Sequence, residues 1–132
     1  MDRETERFFD VVGRVLDMAE DMADEDARSS RLRRERRERR SRNTDSLIEA
    51  LEDAHWDDGR ITILKVAAED RDLTCRELRR ILSTFSWDDG RVRAVRICAP
   101  CVLDHENFHR TRRAFSWDSS YLRATRTFKR HR

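Results

Sequence analysis

The sequence predicts an all-α protein with three tandem pairs of short helices, preceded by an amphipathic helix. Three observations carry this prediction. Charged residues make up 42% of the 132 residues and hydrophobic ones 37%, while Gly occurs three times and Pro once; such a composition favours helices over turn-rich β structure. A tryptophan-containing phrase recurs after 31 and then 30 residues. Apolar residues on both sides of each phrase follow the helical period.

The recurring phrase reads Trp-Asp-Asp-Gly-Arg twice and Trp-Asp-Ser-Ser-Tyr once. An Asp directly before a helical apolar pattern is typical of an N-cap, because its carboxylate accepts hydrogen bonds from the N–H groups of the first turn. The preceding tryptophan then occupies the staple position, which packs on the fourth residue of the helix. We therefore expect stapling tryptophans and capping aspartates at Trp56, Asp57, Trp87, Asp88, Trp117 and Asp118.

Each phrase is preceded by an earlier helix, whose predicted N-caps are Asn43, Thr74 and Asp104. Thr74 and Glu77 have the spacing of a capping box. The pattern predicts six short helices at about residues 43–54, 57–70, 74–85, 88–98, 104–115 and 118–130. One helix pair cannot bury its own apolar face, so the three pairs should share one core around the tryptophans, Phe85 and Phe115.

Residues 1–27 read as an acidic amphipathic helix with ten acidic and three basic residues. Its apolar residues recur in steps of three and four and form one face. A helix of this length needs a partner for that face, so it either folds back on the domain or pairs with another chain. The predicted interaction residues are Phe8, Val12, Val15, Leu16 and Met22.

Residues 28–42, the Arg-rich segment, hold nine arginines, two glutamates and a single apolar residue. With nothing to bury, the segment should be a solvated helix extension or a disordered linker. Its guanidinium groups could bind RNA or DNA phosphates, serve as an import signal or a site for an acidic partner, or compensate the acidic helix before them. The candidate polyanion-binding residues are Arg31, Arg33, Arg34, Arg36, Arg37, Arg39, Arg40 and Arg42, with a basic tail at Arg123, Arg126, Lys129, Arg130 and Arg132.

Residues 43–132, the helical domain, contain one cluster with the ligand types of a zinc site: Cys98, Cys101, His105 and His109. The spacing argues against zinc, because a finger separates its Cys and His pairs by a dozen or so residues. Cys98 and Cys101 also match the redox CxxC form, but no strand precedes them and they fall at a helix end. We expect no metal, no cofactor and, since no nucleophile, base and orienting group stand together, no enzyme.

No segment is long and apolar enough to span a bilayer, and the N-terminus is unlike a secretory signal. Three cysteines without regular spacing fit reduced thiols. The sequence therefore predicts an intracellular protein, cytoplasmic or nuclear, without a membrane partner. Its partner is expected to be another protein or a second copy of the chain, with nucleic acid as the alternative.

Three stretches carry a resemblance to a known family. They are Phe85-Ser86-Trp87-Asp88, with Arg91 and Val92, and the run from Pro100 to Phe108, followed by Ala114-Phe115-Ser116-Trp117-Asp118-Ser119-Ser120. Over about residues 43–132 the chain resembles a helical-repeat family of unknown function, numbered four-four-seven-six. That family usually has Phe where this chain has Trp. The resemblance implies a compact all-α module and brings no activity and no catalytic residues.

Overall fold

The computed structural model describes the backbone of residues 3–132 and the side chains of residues 23–40 and 42–132. The described backbone is all-α, as predicted. The α-helices are α1 (Arg3–Asp53), α2 (Asp57–Ala67), α3 (Cys75–Ser83), α4 (Asp88–Cys98) and α5 (Asp118–His131). Three 3-10 helices, Ala68–Asp70, Ala99–Cys101 and His105–Ala114, lie between them. No helix among the described residues is both long and apolar enough to cross a membrane.

Helix α1 corrects the prediction of a separate helix that begins at Asn43. Its 51 residues run without interruption through the Arg-rich segment, which is therefore a helix extension rather than a disordered linker. Arginine and glutamate are good helix formers, and neither Gly nor Pro occurs between residues 14 and 58 to stop the helix. The chain nevertheless divides into two compact units between Arg42 and Asn43.

The core of the second unit consists of aliphatic residues and phenylalanines from all of its helices. Leu51, Leu64, Leu78 and Val95 are fully buried. Phe85 and Phe115, both predicted for the core, are buried as well. Stacked rings of Phe108 and Phe128, with centroids 4.2 Å apart, close the core at the carboxy-terminal end.

The fifth predicted helix forms as a 3-10 helix, His105–Ala114. Its two buried residues, Phe108 and Thr111, are three positions apart, which matches the three residues per turn of this helix. The Thr111 hydroxyl donates to the Phe108 carbonyl over 2.8 Å. Two backbone hydrogen bonds join Leu73 to residues 101 and 103 and connect the loop before α3 to the loop before this 3-10 helix.

Candidate functional site

The first candidate element is a cluster that holds the start of α4. The Asp57 carboxylate, at the first residue of α2, accepts hydrogen bonds from the backbone N–H groups of Ser86 and Trp87 at 2.9 and 3.0 Å. The Arg60 guanidinium pairs with the same carboxylate at 2.9 Å, with both side chains about nine-tenths buried. Arg60 also donates to the carbonyl oxygens of Leu51 and Ala54. One buried charge pair therefore ties the end of α1, the start of α2 and the start of α4 together.

The same contacts recur 31 residues later. Asp88 accepts from the backbone N–H groups of Ser116 and Trp117, both at 3.0 Å, and pairs with Arg91 at 2.7 Å. Arg91 in turn donates to the carbonyl oxygens of Leu82 and Phe85. We call these two arrangements the Asp57–Arg60 and Asp88–Arg91 clusters. The amino-terminal ends of α4 and α5 are therefore held by the same set of contacts.

The electrostatics of the second cluster follow from its donors. Burial alone acts to raise the Asp88 pKa, but hydrogen bonds from the Ser116 N–H, the Arg91 guanidinium, the Ser120 hydroxyl and the Trp117 N–H outweigh it, so the pKa lies below its usual range. The carboxylate is therefore held ionised, as the contact with Arg91 requires.

These contacts correct the predicted role of the aspartates as N-caps. Asp57, Asp88 and Asp118 are the first residues of their helices, and the preceding tryptophans occupy the N-cap position without a side-chain cap. The first two carboxylates reach forward to the next phrase instead of serving their own helix. The Asp118 side chain is 84% exposed and pairs with Arg112.

The tryptophans lie in solvent, so the prediction that they are buried staples is wrong. Trp56, Trp87 and Trp117 are 78%, 75% and 70% exposed. Their backbones are extended. The backbone N–H of Trp87 donates to Asp57 and that of Trp117 to Asp88, the aspartate of the previous phrase in each case. Phenylalanine occupies the core two residues before each of these two, which leaves the indoles outside. We refer to the three as the tryptophan row.

A groove of about 500 Å³ lies between the first two tryptophans of the row. Its lining residues are His55, Trp56, Asp57, Asp58, Ser86, Trp87, Asp89, Gly90 and Arg93. Exposed ion pairs border it, with Asp58 to Arg93 at 2.8 Å and Asp89 to Arg123 at 3.2 Å. The groove therefore combines two aromatic faces with charges that are already paired.

The caps of the earlier helices behave differently from one another. Thr74 and Glu77 form the predicted capping box at the start of α3, which confirms this prediction. Glu77 also accepts a hydrogen bond from the buried Thr44 hydroxyl. Asp104 stands at the predicted N-cap position but makes no side-chain cap to its own helix. Its carboxylate accepts from the Cys75 N–H at 2.8 Å, at the start of α3.

The four candidate metal ligands have other surroundings. Cys98 is fully buried, and burial raises its pKa to about 12. The Cys101 thiol donates to the Ala68 carbonyl at 3.0 Å, His105 packs edge-on against Phe128, and His109 contacts the Glu106 carbonyl. Within the part of the chain that the structure describes, no group of three or more His, Cys, Asp or Glu residues is placed to hold a metal ion.

The Arg-rich segment lies on α1, and its described side chains are exposed. The segment is therefore a helical surface with its guanidinium groups at the solvent. The predicted interaction residues of the N-terminal helix, Phe8, Val12, Val15, Leu16 and Met22, lie outside the residues whose side chains are described.

The sequence analysis missed two features of the site. Arg60 and Arg91 form buried ion pairs with the aspartates, and the indoles of the tryptophan row are exposed to solvent. The sequence contained a signal for the role of these arginines: an arginine is the last residue of the phrase in the first two copies, each of which is followed by another copy. The third copy has Tyr121 at the position of this arginine.

Comparison with known proteins identifies one family. Its model, described as a domain of unknown function (DUF4476), matches residues 39–128. No curated protein and no solved structure matches the chain.

Proposed function

The chain belongs to the DUF4476 family, and we propose that this member is a non-enzymatic protein-interaction module that binds its partner through the tryptophan row. The observation that carries this proposal is the exposure of the three indoles at equivalent positions of the recurring phrase. Large aromatic residues are normally buried on folding, and an exposed cluster of them indicates a binding surface. Tryptophan is also among the residues that contribute most to protein–protein binding energy.

Rigid support for the row favours binding over accidental exposure. Asp57 and Asp88 hold the backbone of Trp87 and Trp117 from the preceding phrase. A surface whose backbone is already positioned loses less conformational entropy when a partner binds. The two buried clusters thus serve the row as a scaffold.

Peptide selection tests the proposal. A random peptide library would be panned on the full chain and on a variant with Trp56→Ala, Trp87→Ala and Trp117→Ala. We expect the selected peptides to bind the full chain and not the variant. The matched control is Val66→Ala, which removes an exposed apolar side chain, 70% exposed, elsewhere on the domain. Peptides that bind the triple variant as well as the parent, or no selected peptides at all, would contradict the proposal.

A second function is favoured by the exposed arginines of α1: association with RNA or DNA through the Arg-rich segment and the basic tail. A helix with nine arginines in fifteen residues neutralises phosphates and releases counterions, so binding should weaken steeply with salt. The tryptophan row is unsuited to this ligand, because exposed Asp58 and Asp89 stand beside it.

Two sets of substitutions in the full chain, each tested for both RNA binding and peptide binding, distinguish the two functions. Arg33→Gln, Arg34→Gln, Arg36→Gln and Arg37→Gln together should reduce binding to labelled single-stranded RNA and flatten its salt dependence, and should leave peptide binding unchanged. The triple tryptophan variant should do the reverse. RNA binding that is absent or independent of salt would refute the nucleic-acid function.

A further inference from the structure

We infer that the tryptophan row binds a proline-rich peptide segment in the polyproline II conformation. This inference rests on the proposed function and names the partner chemistry of the same surface. Three properties of the row support it: the interval between the indoles, the kind of hydrogen-bonding groups they present, and the charge of their surroundings.

The interval between the indoles follows from helix packing. Helix α4 packs against both α2 and α5, and one tryptophan precedes each of these three helices. The Asp57 carboxylate bonds directly to the Trp87 N–H, so the amino-terminal ends of α2 and α4 are adjacent. Packed helices have axes roughly 8–10 Å apart. We therefore expect the helix starts that carry successive tryptophans to lie at about this interval, and Trp56 and Trp87 line the same groove.

A polyproline II helix has a matching period. It has three residues per turn and rises about 3.1 Å per residue, so its side chains return to the same face about every 9 Å. Every third proline ring can then lie beside a successive tryptophan of the row. Aromatic-lined grooves are the common feature of surfaces that bind such segments, because the extended peptide is already ordered before it binds.

The hydrogen-bonding groups of the row fit the same ligand. None of the three indole N–H groups donates to another group among the described residues, and an indole can only donate. A proline-rich segment presents backbone carbonyl oxygens to solvent and lacks the N–H at each proline. The indole N–H groups of the protein can therefore donate hydrogen bonds to the backbone carbonyl oxygens of the peptide.

The charges beside the row select against ionic ligands. The carboxylate of Asp58 is paired with Arg93 of α4 and that of Asp89 with Arg123 of α5. The inner carboxylates of Asp57 and Asp88 are paired as well. Together with the pair of Asp118 and Arg112, these ion pairs contribute no net charge beside the row. An uncharged ligand loses no electrostatic energy there, whereas a phosphate chain meets a carboxylate beside each of the first two indoles.

The experiment is a titration of the full chain with a ten-proline peptide whose termini are acetylated and amidated. Calorimetry and tryptophan fluorescence would report binding. We expect the peptide to bind, Trp87→Ala to weaken it roughly 30-fold or more, as for a central tryptophan of an interface, and Val66→Ala to change it less than about twofold. Trp87→Phe should weaken binding by an intermediate factor, because it keeps an aromatic face and removes the donor. Circular dichroism would show that each variant is folded.

Control ligands decide the partner chemistry. A capped Gly-Ser peptide of equal length tests the need for the polyproline conformation, and an uncharged oligosaccharide tests a glycan ligand. Absence of proline-peptide binding, equal binding by Trp87→Ala, or tighter binding of either control would overturn the inference. If the library instead yields peptides of another class that depend on the tryptophans, the proposed function stands and only the polyproline inference falls. If no peptide depends on them, both fall.

Discussion

Replacement of Arg91 by methionine should lower the free energy of unfolding by about 3–5 kcal/mol, the cost of removing one partner of a buried ion pair. The Arg91 and Asp88 side chains are only 11% and 9% exposed. Methionine keeps most of the buried chain length but leaves Asp88 without its counter-charge and removes the Arg91 donors from the Leu82 and Phe85 carbonyls. A hydrogen bond to a charged group is worth about 1.5–3 kcal/mol, and the contributions do not add fully.

The matched control lies two residues away. Arg93→Met makes the same chemical change in α4, but Arg93 and its partner Asp58 are 54% and 87% exposed. An exposed pair contributes at most about 1 kcal/mol. Urea denaturation of both variants at neutral pH, followed by circular dichroism, measures the difference. Equal, small losses in the two variants would refute the view that the Asp88–Arg91 cluster holds α5 in place.

Two further predictions concern the same clusters. Gly90→Ala should destabilise the protein by about 1–3 kcal/mol, because a Cβ there would lie 2.8 Å from the Asp57 carboxylate. Gly59→Ala should instead stabilise α2 by up to about 1 kcal/mol, because a Cβ there would make only an ordinary van der Waals contact with the Ala54 Cβ at 3.9 Å. Thermal unfolding compares the two variants, and the reverse order of stability would contradict this packing. The free energy of unfolding should also fall with acid: because the folded-state pKa of Asp88 lies below its ordinary value of 3.8, its contribution is present above that value and is lost as pH falls through the lower folded-state pKa. Asp88→Asn should make the free energy of unfolding fall less steeply over this pH range. An unchanged fall in the variant would contradict the assignment of this pH dependence to Asp88.

The helices were predictable because their signals are local. Apolar residues at helical spacing indicated α2 to α5, and Thr74 with Glu77 marked the start of α3. The cap pattern at Asn43 predicted a helix start that does not exist, because the good helix formers before it let α1 continue through the boundary.

The site was harder to predict because its determinants are far apart in sequence. Asp57 has the local pattern of an N-cap, but the backbone N–H groups that donate to it are about thirty residues away. The burial of Trp87 was assigned from a staple pattern that fixes its position in the chain but not the direction of its side chain. With the backbone of Trp87 held by Asp57 and the core filled by Phe85, the indole lies outside.

The most direct test of the account is the solvent accessibility of the three indoles in the native full chain. Acrylamide quenching of tryptophan fluorescence should be nearly as efficient as that of free tryptophan, with an emission maximum close to that of an indole in water. Bound proline peptide should then protect them. Blue-shifted, poorly quenched emission from the folded protein would mean that the tryptophans are buried, and the binding surface proposed for this protein would not exist.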